Sequence, residues 1–409
     1  MGFILVTLFL DVLGFGLIIP ILPNLVKEFV GGDTGEAAVY SGWLISAYAM
    51  MQFVFSPVVG SLSDRFGRRP VLLASNLGQG LDYILMGLAP SLGWLLAGRL
   101  VAGLTGASFG TATAYIADVS PPEKRAANFG LIGTAFGLGF IFGPLLGGLL
   151  GHINLRLPFF VSAGLTLANA AWGLFILPES LTLEHRRPFS WASSNPIGTL
   201  KALGRYPLVL SLVSSIVLIN IAQRALESTW VLANFARFGW DELASSISLA
   251  FVGLTAAIIQ GVLVPRIVPK LGERRSFALG VMIGVVTFAA YAFAPAGWVI
   301  YVALTLGSLG GIAQPAGQAL MSRSVPPGEQ GMLQGALTSL VAITQIIGPP
   351  IATHLLEFFI GLKAPVYFPG APFLAGSAFM ALALVLLLRA FVKHKEAPAG
   401  ASPKPQGLA

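Results

Sequence analysis

Three ionisable residues of this chain lie inside long apolar segments, where charged groups are rare. Asp11 lies in the first such segment, Asp82 in the third and Arg99 in the fourth. Each segment is long enough to cross a bilayer. A carboxylate near the middle of a membrane helix costs about 3 kcal/mol on lenient insertion scales, so Asp11 should face a cavity or a partner. The pattern therefore indicates a polar site within a membrane.

A second group of charged residues forms a loop between the apolar segments 39–59 and 70–89. Four charges occupy six consecutive positions of this loop, so it cannot lie in hydrocarbon and must lie at the membrane surface. Its glycine permits a turn that most residues resist, and its arginines mark it as cytoplasmic. An ordinary positively charged topogenic loop is the alternative. This signature loop, residues 60–69, contains Gly60, Asp64, Arg65, Gly67, Arg68 and Arg69.

The composition is that of a polytopic helical membrane protein. The 409 residues are 55% hydrophobic and only 10% charged, whereas a soluble protein carries about 25% charged residues. The net charge of +7 follows from topology and not from nucleic-acid binding, because most Lys and Arg residues fall in loops on one side or in the C-terminal tail. Those on the other side are Lys27, Arg156, Arg237 and Lys363. This asymmetry places both termini in the cytoplasm.

Several classes of chemistry find no support in the sequence. The chain has no cysteine, so it contains neither a disulfide framework nor a thiolate metal site. Its four histidines, at 152, 185, 354 and 394, show no ligand spacing, and no phosphate-binding loop is present. We therefore expect no enzyme, no cofactor and no ATP hydrolysis. The first segment starts without a charged leader, and we expect it to be retained as a membrane span.

Twelve apolar segments divide into two halves that repeat each other. We predict six-helix bundles over 1–178 and 207–392, a cytoplasmic linker over 179–206 and a disordered tail over 393–409. Residues 270–275 match the end of the signature loop, Pro326-Pro327 matches Pro121-Pro122, and Gly348-Pro349 matches Gly143-Pro144, all at offsets near 205. The sequence thus predicts an all-α membrane protein of two pseudo-symmetric bundles. Pro20 and Pro23 are expected to end the first span, 2–22.

Four features together resemble the drug–proton antiporters of the major facilitator superfamily. They are the Asp11-to-Pro23 first helix, the signature loop, Arg99 in the fourth helix and a glycine-rich fifth helix. The first-helix motif, residues 64–73, the Asp82-Tyr83 pair, Trp230-Val-Leu and Arg237-Phe-Gly-Trp240 look like the bacterial tetracycline exporters. The similarity covers residues 3–390. The fifth-helix motif, typical of exporters in this superfamily, contains Gly139, Gly143, Pro144 and Gly147.

The resemblance implies a proton-coupling role for Asp11, Asp82 and Arg99. The first and fourth helices of the family line a central cavity, so Asp11 and Arg99 are candidate partners. Desolvation disfavours a charged carboxylate and a nearby guanidinium favours it, so motion between the two would load or release a proton. A static buried ion pair is the alternative, and a structural helix-pairing role is equally open for Asp82.

The resemblance also implies a cytoplasmic gate built on the signature loop. In that interpretation Arg68 pairs with Asp118 at the end of the fourth span, while Asp64 caps a facing helix of the second half. A purely topogenic role is the alternative.

Substrate contacts are assigned to neutral amide side chains, with plain interhelical hydrogen bonding as the alternative. Arg224 and Glu227 are three residues apart on one helix face and are expected to pair, as a gate or as a structural element. Gly284 and Ala256 stand where tetracycline exporters carry an acidic residue and a histidine, which weakens the assignment of a tetracycline–magnesium substrate. The candidate substrate-binding residues are Gln52, Gln260, Gln314, Gln318 and Gln345.

The expected function is proton-coupled export of a hydrophobic small molecule by alternating access, with tetracycline-like drugs as the first candidate. The alternatives are a multidrug or metabolite transporter of the same superfamily and, from another class, an intramembrane enzyme or receptor, for which no catalytic cluster is present. The expected partners are a small-molecule substrate, which would arrive as a magnesium chelate in the tetracycline case, protons and the lipid bilayer. We expect a monomer in the inner (plasma) membrane.

Overall fold

The structure, a computed structural model, describes residues 2–106, 109–186, 207–324, 330–361 and 364–393. Most of the predicted linker and the tail beyond Lys393 lie outside these residues, and the domain boundaries stay a prediction. Sixteen α-helices account for the described chain. They are α1 (Gly2–Ile18), α2 (Leu22–Phe29), α3 (Thr34–Phe66), α4 (Arg68–Gly87), α5 (Leu92–Thr105), α6 (Phe109–Val119), α7 (Pro122–Ile153), α8 (Leu157–Ile176), α9 (Pro207–Phe238), α10 (Glu242–Ile258), α11 (Val264–Leu271), α12 (Glu273–Phe293), α13 (Gly297–Gly310), α14 (Ala313–Arg323), α15 (Gln330–Ile360) and α16 (Ala371–Lys393).

These helices make twelve membrane crossings, which confirms the predicted all-α architecture. Eleven crossings are long and apolar enough by composition alone. The twelfth is α4, whose 20 residues span about 30 Å but include several polar side chains. Ser75, Asn76 and Asp82 of this helix are buried. Its polar residues therefore face the protein interior, and α4 depends on its neighbours for its place in the membrane.

Within the described residues, three crossings depart from the continuous α-helices that the sequence predicted. The first bends between α1 and α2 at Pro20, but α2 then continues to Phe29 because Pro23 occupies the first helical turn, where its missing N–H is not needed. The expectation that these prolines end the span was wrong. The eighth crossing passes through a π-helical turn, Ile259–Leu263, between α10 and α11.

The third departure lies between α13 and α14, at a position that the internal repeat matches to the end of α5. The helix α5 is capped by Gly106, and α13 is capped by Gly311, 205 positions later. The signature loop shows the same relation: Gly67 has φ +104° and ψ 159°, and Gly272 has φ +77° and ψ 159°. Positive φ is tolerated by glycine and resisted by other residues, so the repeat is fixed by backbone conformation as well as by sequence.

The glycines of the fifth crossing bring its backbone against the first. A methyl group added at Gly143 would lie 2.8 Å from the Gly16 Cα, and one added at Gly139 would lie 2.7 Å from Val12 Cγ1. Pro144 lies at the same contact, with its Cδ 3.0 Å from a methyl group added at Gly16. Small residues allow this backbone-to-backbone packing of membrane helices. The fifth-helix motif therefore packs α7 closely against α1.

The two halves pack together along two pairs of helices, α7 with α10 and α3 with α15. Gly148 packs against Ser246 in the first pair. In the second pair, the contacts described next lie at the end of the bundle away from Gly67. We call the end that carries Gly67 the loop end, and the other the opposite end. Ser46 donates a hydrogen bond to the Ile346 carbonyl oxygen at 2.6 Å, and Gly42 packs against Thr353. We call these contacts between α3 and α15 the seam.

Candidate functional site

A cluster of charged and aromatic side chains lies inside the first half. Arg99 Nη2 is 3.6 Å from Asp82 Oδ2, and the two side chains are 7% and 0% exposed. The helices α4 and α5 form an antiparallel hairpin with a short connection. Asp82 lies about 7.5 Å from the end of α4 and Arg99 about 10.5 Å from the start of α5, so the two reach similar depth. Removing one member of such a buried pair leaves the other charge uncompensated, which is strongly destabilising.

Asp11 lies near this pair but does not bond to it. Its Oδ1 is buried and has no hydrogen-bond partner. Asp11 was the predicted partner of Arg99, whereas in the structure Arg99 forms its ion pair with Asp82. The hairpin explains the difference, because it holds Asp82 beside Arg99 whatever the position of α1. In this conformation Asp11 is thus a separate carboxyl group beside an ion pair.

Tyr48 joins the cluster from α3, and sequence reasoning missed it. Its ring lies over the Arg99 guanidinium, with 5.8 Å from Cζ to the ring centroid, and it interacts electrostatically with Asp11 and Asp82. Gln52, one helical turn later, donates from Nε2 to the Tyr48 hydroxyl at 3.3 Å and to the Gly106 carbonyl oxygen at 3.2 Å. The i,i+4 spacing of these two residues was the available signal. Gln52 therefore links the cluster to the end of α5.

The signature loop holds a second charged network. Arg68 contacts Asp64 through Nη1, and its Nε lies 3.3 Å from Asp118 Oδ2. Ser180 donates to the same Asp118 oxygen at 3.1 Å. Four elements meet here: the end of α3, the start of α4, the end of α6 and the segment after α8. The expected capping of a second-half helix by Asp64 involves residues near Gly331, whose surroundings lie outside what the structure describes.

The other predicted loop residues lie around this network in different roles. Arg69 donates from Nη2 to the Leu174 carbonyl oxygen at 2.6 Å, which ties α4 to α8. The Arg65 guanidinium lies 5.1 Å from the centre of the Phe66 ring. A methyl group at Gly60 would meet no atom within 4 Å, so this glycine is not required by close packing in this conformation.

Glu179 completes the loop network, and it too was missed. Its Oε1 accepts a hydrogen bond from the Arg68 backbone N–H at 2.8 Å, and its Oε2 accepts one from Arg69 at 3.3 Å. A carboxylate at a helix start satisfies unpaired N–H groups and complements the helix dipole. Gly67 lies directly against this carboxylate. A methyl group added at Gly67 would also lie 3.0 Å from Arg186 Nη2. Glu179 was assigned to the predicted linker, although its position just after an apolar span was a signal.

The five predicted glutamines are spread over the two halves. Gln260, on the π-helical turn, approaches Gly311, whose added methyl group would lie 3.5 Å from Nε2. It therefore relates to the break before α14 much as Gln52 relates to the end of α5. Gln314 and Gln318 lie on α14 and Gln345 on α15.

Two further predicted positions lie in the second half. Arg224 and Glu227 form an ion pair on α9, and Gln223 donates to Glu227 Oε1 at 3.1 Å. Gly284 packs on α16, where an added methyl group would lie 3.3 Å from the Met380 sulfur. An acidic side chain at Gly284 would therefore have to displace Met380. Within the described part of the chain, no group of three His, Cys, Asp or Glu residues could hold a metal ion.

Comparison with known proteins agrees with this architecture. The family model described as Major Facilitator Superfamily matches residues 4–343 and 270–408. The class C tetracycline resistance protein of Escherichia coli is 40% identical over 352 residues, which cover 86% of this chain and 88% of that protein. Multidrug resistance protein 2 of Bacillus subtilis (strain 168) is 28% identical, covering 91% and 92%. A bacterial homolog of the human lysosomal transporter Spinster, in an inward-facing and unoccupied conformation, superposes with a TM-score of 0.77 at 17% identity, covering 97% and 98%.

Proposed function

The chain belongs to the major facilitator superfamily, and we propose that it is a proton-coupled exporter of hydrophobic small molecules, with tetracycline as the first candidate. As a member of this family it is a multi-pass membrane transporter of small molecules and not an enzyme. The observation that carries the proposal is the buried Asp82–Arg99 pair with Asp11 beside it, whose buried Oδ1 has no hydrogen-bond partner. Ionisable groups at such depth in a membrane protein usually serve ion or proton movement.

Proton coupling follows from a change in the distance between Asp11 and the pair. When Arg99 is held by Asp82, Asp11 has no cationic partner and is free to hold a proton. A motion of α1 relative to α5 that brings Asp11 toward Arg99 favours its charged form and releases the proton. Substrate binding beside Asp11 is the event that drives this motion.

The arginines of the signature loop support an orientation with the loop end in the cytoplasm. Both termini are then cytoplasmic, and the membrane is the bacterial inner membrane. The seam packs α3 against α15 at the opposite end, and we propose that the state in which it is closed faces inward. Transport requires the seam to open and the loop end to close, with the Arg68 network exchanging its partners between the two states. We expect the protein to act as a monomer.

Tetracycline is proposed because the relatives named as tetracycline resistance proteins match most of the chain. The drug would arrive as a magnesium chelate, with the ion as part of the substrate. A second candidate is a different amphiphilic drug or metabolite. It is favoured by Gly284, which supplies no acidic group to handle a cation and whose added methyl group would lie 3.3 Å from the Met380 sulfur.

The test uses inside-out membrane vesicles that contain a pH-sensitive dye. After energisation, addition of tetracycline with magnesium should cause proton efflux, and Asp11→Asn should abolish it. Glu28→Gln, a carboxyl-to-amide change at an exposed site of the same crossing, should leave the efflux unchanged. A response to other amphiphilic drugs alone would keep the antiporter and discard tetracycline. Silence toward every compound, with correctly inserted protein, would contradict proton-coupled export.

A further inference from the structure

Three aromatic side chains from three different helices meet beside the charged cluster. The Phe15 ring of α1 stacks on Tyr48 of α3, with centroids 6.4 Å apart and planes inclined by 29°. On its other side Phe15 meets Phe140 of α7 edge-to-face, also at 6.4 Å and at 76°. Phe15 follows Asp11 by one helical turn and therefore shares its face of α1. The three rings form a continuous apolar surface next to Asp11, which we call the aromatic wall.

The aromatic wall borders open space within the protein. Phe15 is 41% exposed and Phe140 is 40% exposed, although both touch other rings. Successive helix positions turn by about 100°, so Gly133 and Gly137 share the face of α7 that carries Phe140. A methyl group added at either glycine would meet no atom within 4 Å. The wall is thus one side of a cavity and is not a filled core.

Phe142 shows that this exposure is not simply contact with lipid. Phe142 is 46% exposed and Phe140 is 40% exposed, but Phe142 lies about 200° further around α7. Leu138 and Leu149 share its direction and are likewise exposed. This face carries large aliphatic residues and no glycines. It reads as the lipid-facing surface, whereas the face of Phe140 turns toward Phe15 and the charged cluster.

We propose that the aromatic wall of Phe15, Tyr48 and Phe140 binds the ring system of the transported molecule, which is therefore a planar, partly aromatic compound. This inference rests on the proposed function and specifies the substrate class and the half of the protein that recognises it. Rings in such a substrate would stack on Phe15 or meet Phe140 at its edge, as aromatic pairs prefer. The substrate then lies within reach of Asp11.

Tyr48 would connect recognition to proton coupling. One face of its ring lies over the Arg99 guanidinium, while Phe15 stacks on the ring from α1. Its hydroxyl is held by Gln52, which is itself bonded to the Gly106 carbonyl oxygen. A substrate that moves Phe15 therefore moves the ring that covers Arg99. In this arrangement Tyr48 is a positioning residue for Arg99.

The experiment measures ligand binding to the full-length purified protein in detergent at fixed pH. The probes are tetracycline with magnesium, followed by its own fluorescence, and ethidium as an unrelated planar aromatic compound. Phe15→Ala and Phe140→Ala should each weaken binding about three- to tenfold, a loss expected for one aromatic contact. Phe15→Tyr should retain binding, since it keeps the ring. Phe142→Ala is the matched control and should bind as the wild type does.

The outcomes separate this inference from the proposed function. Binding by the wild type with unchanged affinity in both alanine variants overturns the aromatic wall and leaves drug export standing. Equal weakening in Phe142→Ala would show a general packing defect and also overturns it. Binding of neither probe to folded wild-type protein overturns both proposals.

A second measurement tests Tyr48 without removing its ring. Tyr48→Phe should keep probe affinity within about twofold but shift the pH profile of transport, because Gln52 no longer holds the ring over Arg99. An unchanged profile overturns the positioning role.

Discussion

Substituting Gly42 by alanine tests whether the seam opens during transport. A methyl group at Gly42 would lie 3.1 Å from both Cβ and Cγ2 of Thr353, and closer still to its hydroxyl oxygen. Thr353 is fully buried, and its hydroxyl donates to the Pro349 carbonyl oxygen at 2.9 Å. It therefore cannot turn aside without losing that hydrogen bond. Overpacking of this kind costs about 1 to 3 kcal/mol.

This cost applies only to the conformation in which α3 and α15 touch. The substitution should therefore shift the population toward the state open at the opposite end by about 5- to 150-fold. Because the chain has no cysteine, a single Ser46→Cys reporter can be labelled without a background signal. Ser46 is only 5% exposed on the seam. Its reaction with a membrane-impermeant maleimide added from the opposite side should be faster with Gly42→Ala.

The matched control is Gly164→Ala on α8, where an added methyl group meets no atom within 4 Å. This variant should label at the rate of the reporter alone. Equal rates in the two alanine variants would refute the reasoning, since they would show that the seam is not the closed contact of the protein in its membrane. A lower thermal stability of Gly42→Ala without faster labelling would do the same.

Two further predictions concern the charged networks. Glu179→Gln weakens the cap on α4 and should lower the free energy of unfolding by about 1 kcal/mol, seen as a lower Tm in detergent. Glu184→Gln nearby should leave Tm unchanged, and an unchanged Tm in Glu179→Gln would contradict the cap. Asp82→Asn leaves Arg99 buried without a counter-charge and should cost about 3 to 5 kcal/mol of unfolding free energy in denaturant titrations. The double variant with Arg99→Gln should lose less than Asp82→Asn alone, and additive losses would show that the two side chains do not interact.

The sequence revealed the charged residues whose placement inside a membrane is energetically costly. Asp11, Asp82 and Arg99 stand out because a charge in an apolar segment requires a reason. The turn at Gly67 and its repeat at Gly272 could be predicted for a similar reason, since few residues tolerate that backbone conformation. The fold follows from these signals together with the lengths of the apolar segments.

The partners of these residues were harder to predict. The pairing of Arg99 depends on the relative depth of two helices, which requires the length of the turn between α4 and α5. By its residue type, Tyr48 could equally be an ordinary core residue. Only the position of its ring over Arg99 shows that it belongs to the charged cluster. Glu179 follows a span at the surface, where a carboxylate is unremarkable until the start of α4 is placed beside it. The end of α5 at Gly106 and the break at Gly311 lie among other small residues that equally suit close helix packing.

The polar character of α4 has a consequence for how the protein is made. The other eleven crossings are apolar enough to enter a bilayer as each one emerges during synthesis. When α4 emerges, Asp82 has no partner, because Arg99 has not yet been synthesised. The helix is therefore expected to wait beside the insertion machinery until α5 arrives, and the hairpin then enters the lipid as one unit. The Asp82–Arg99 pair thus sets the order in which the first half is assembled.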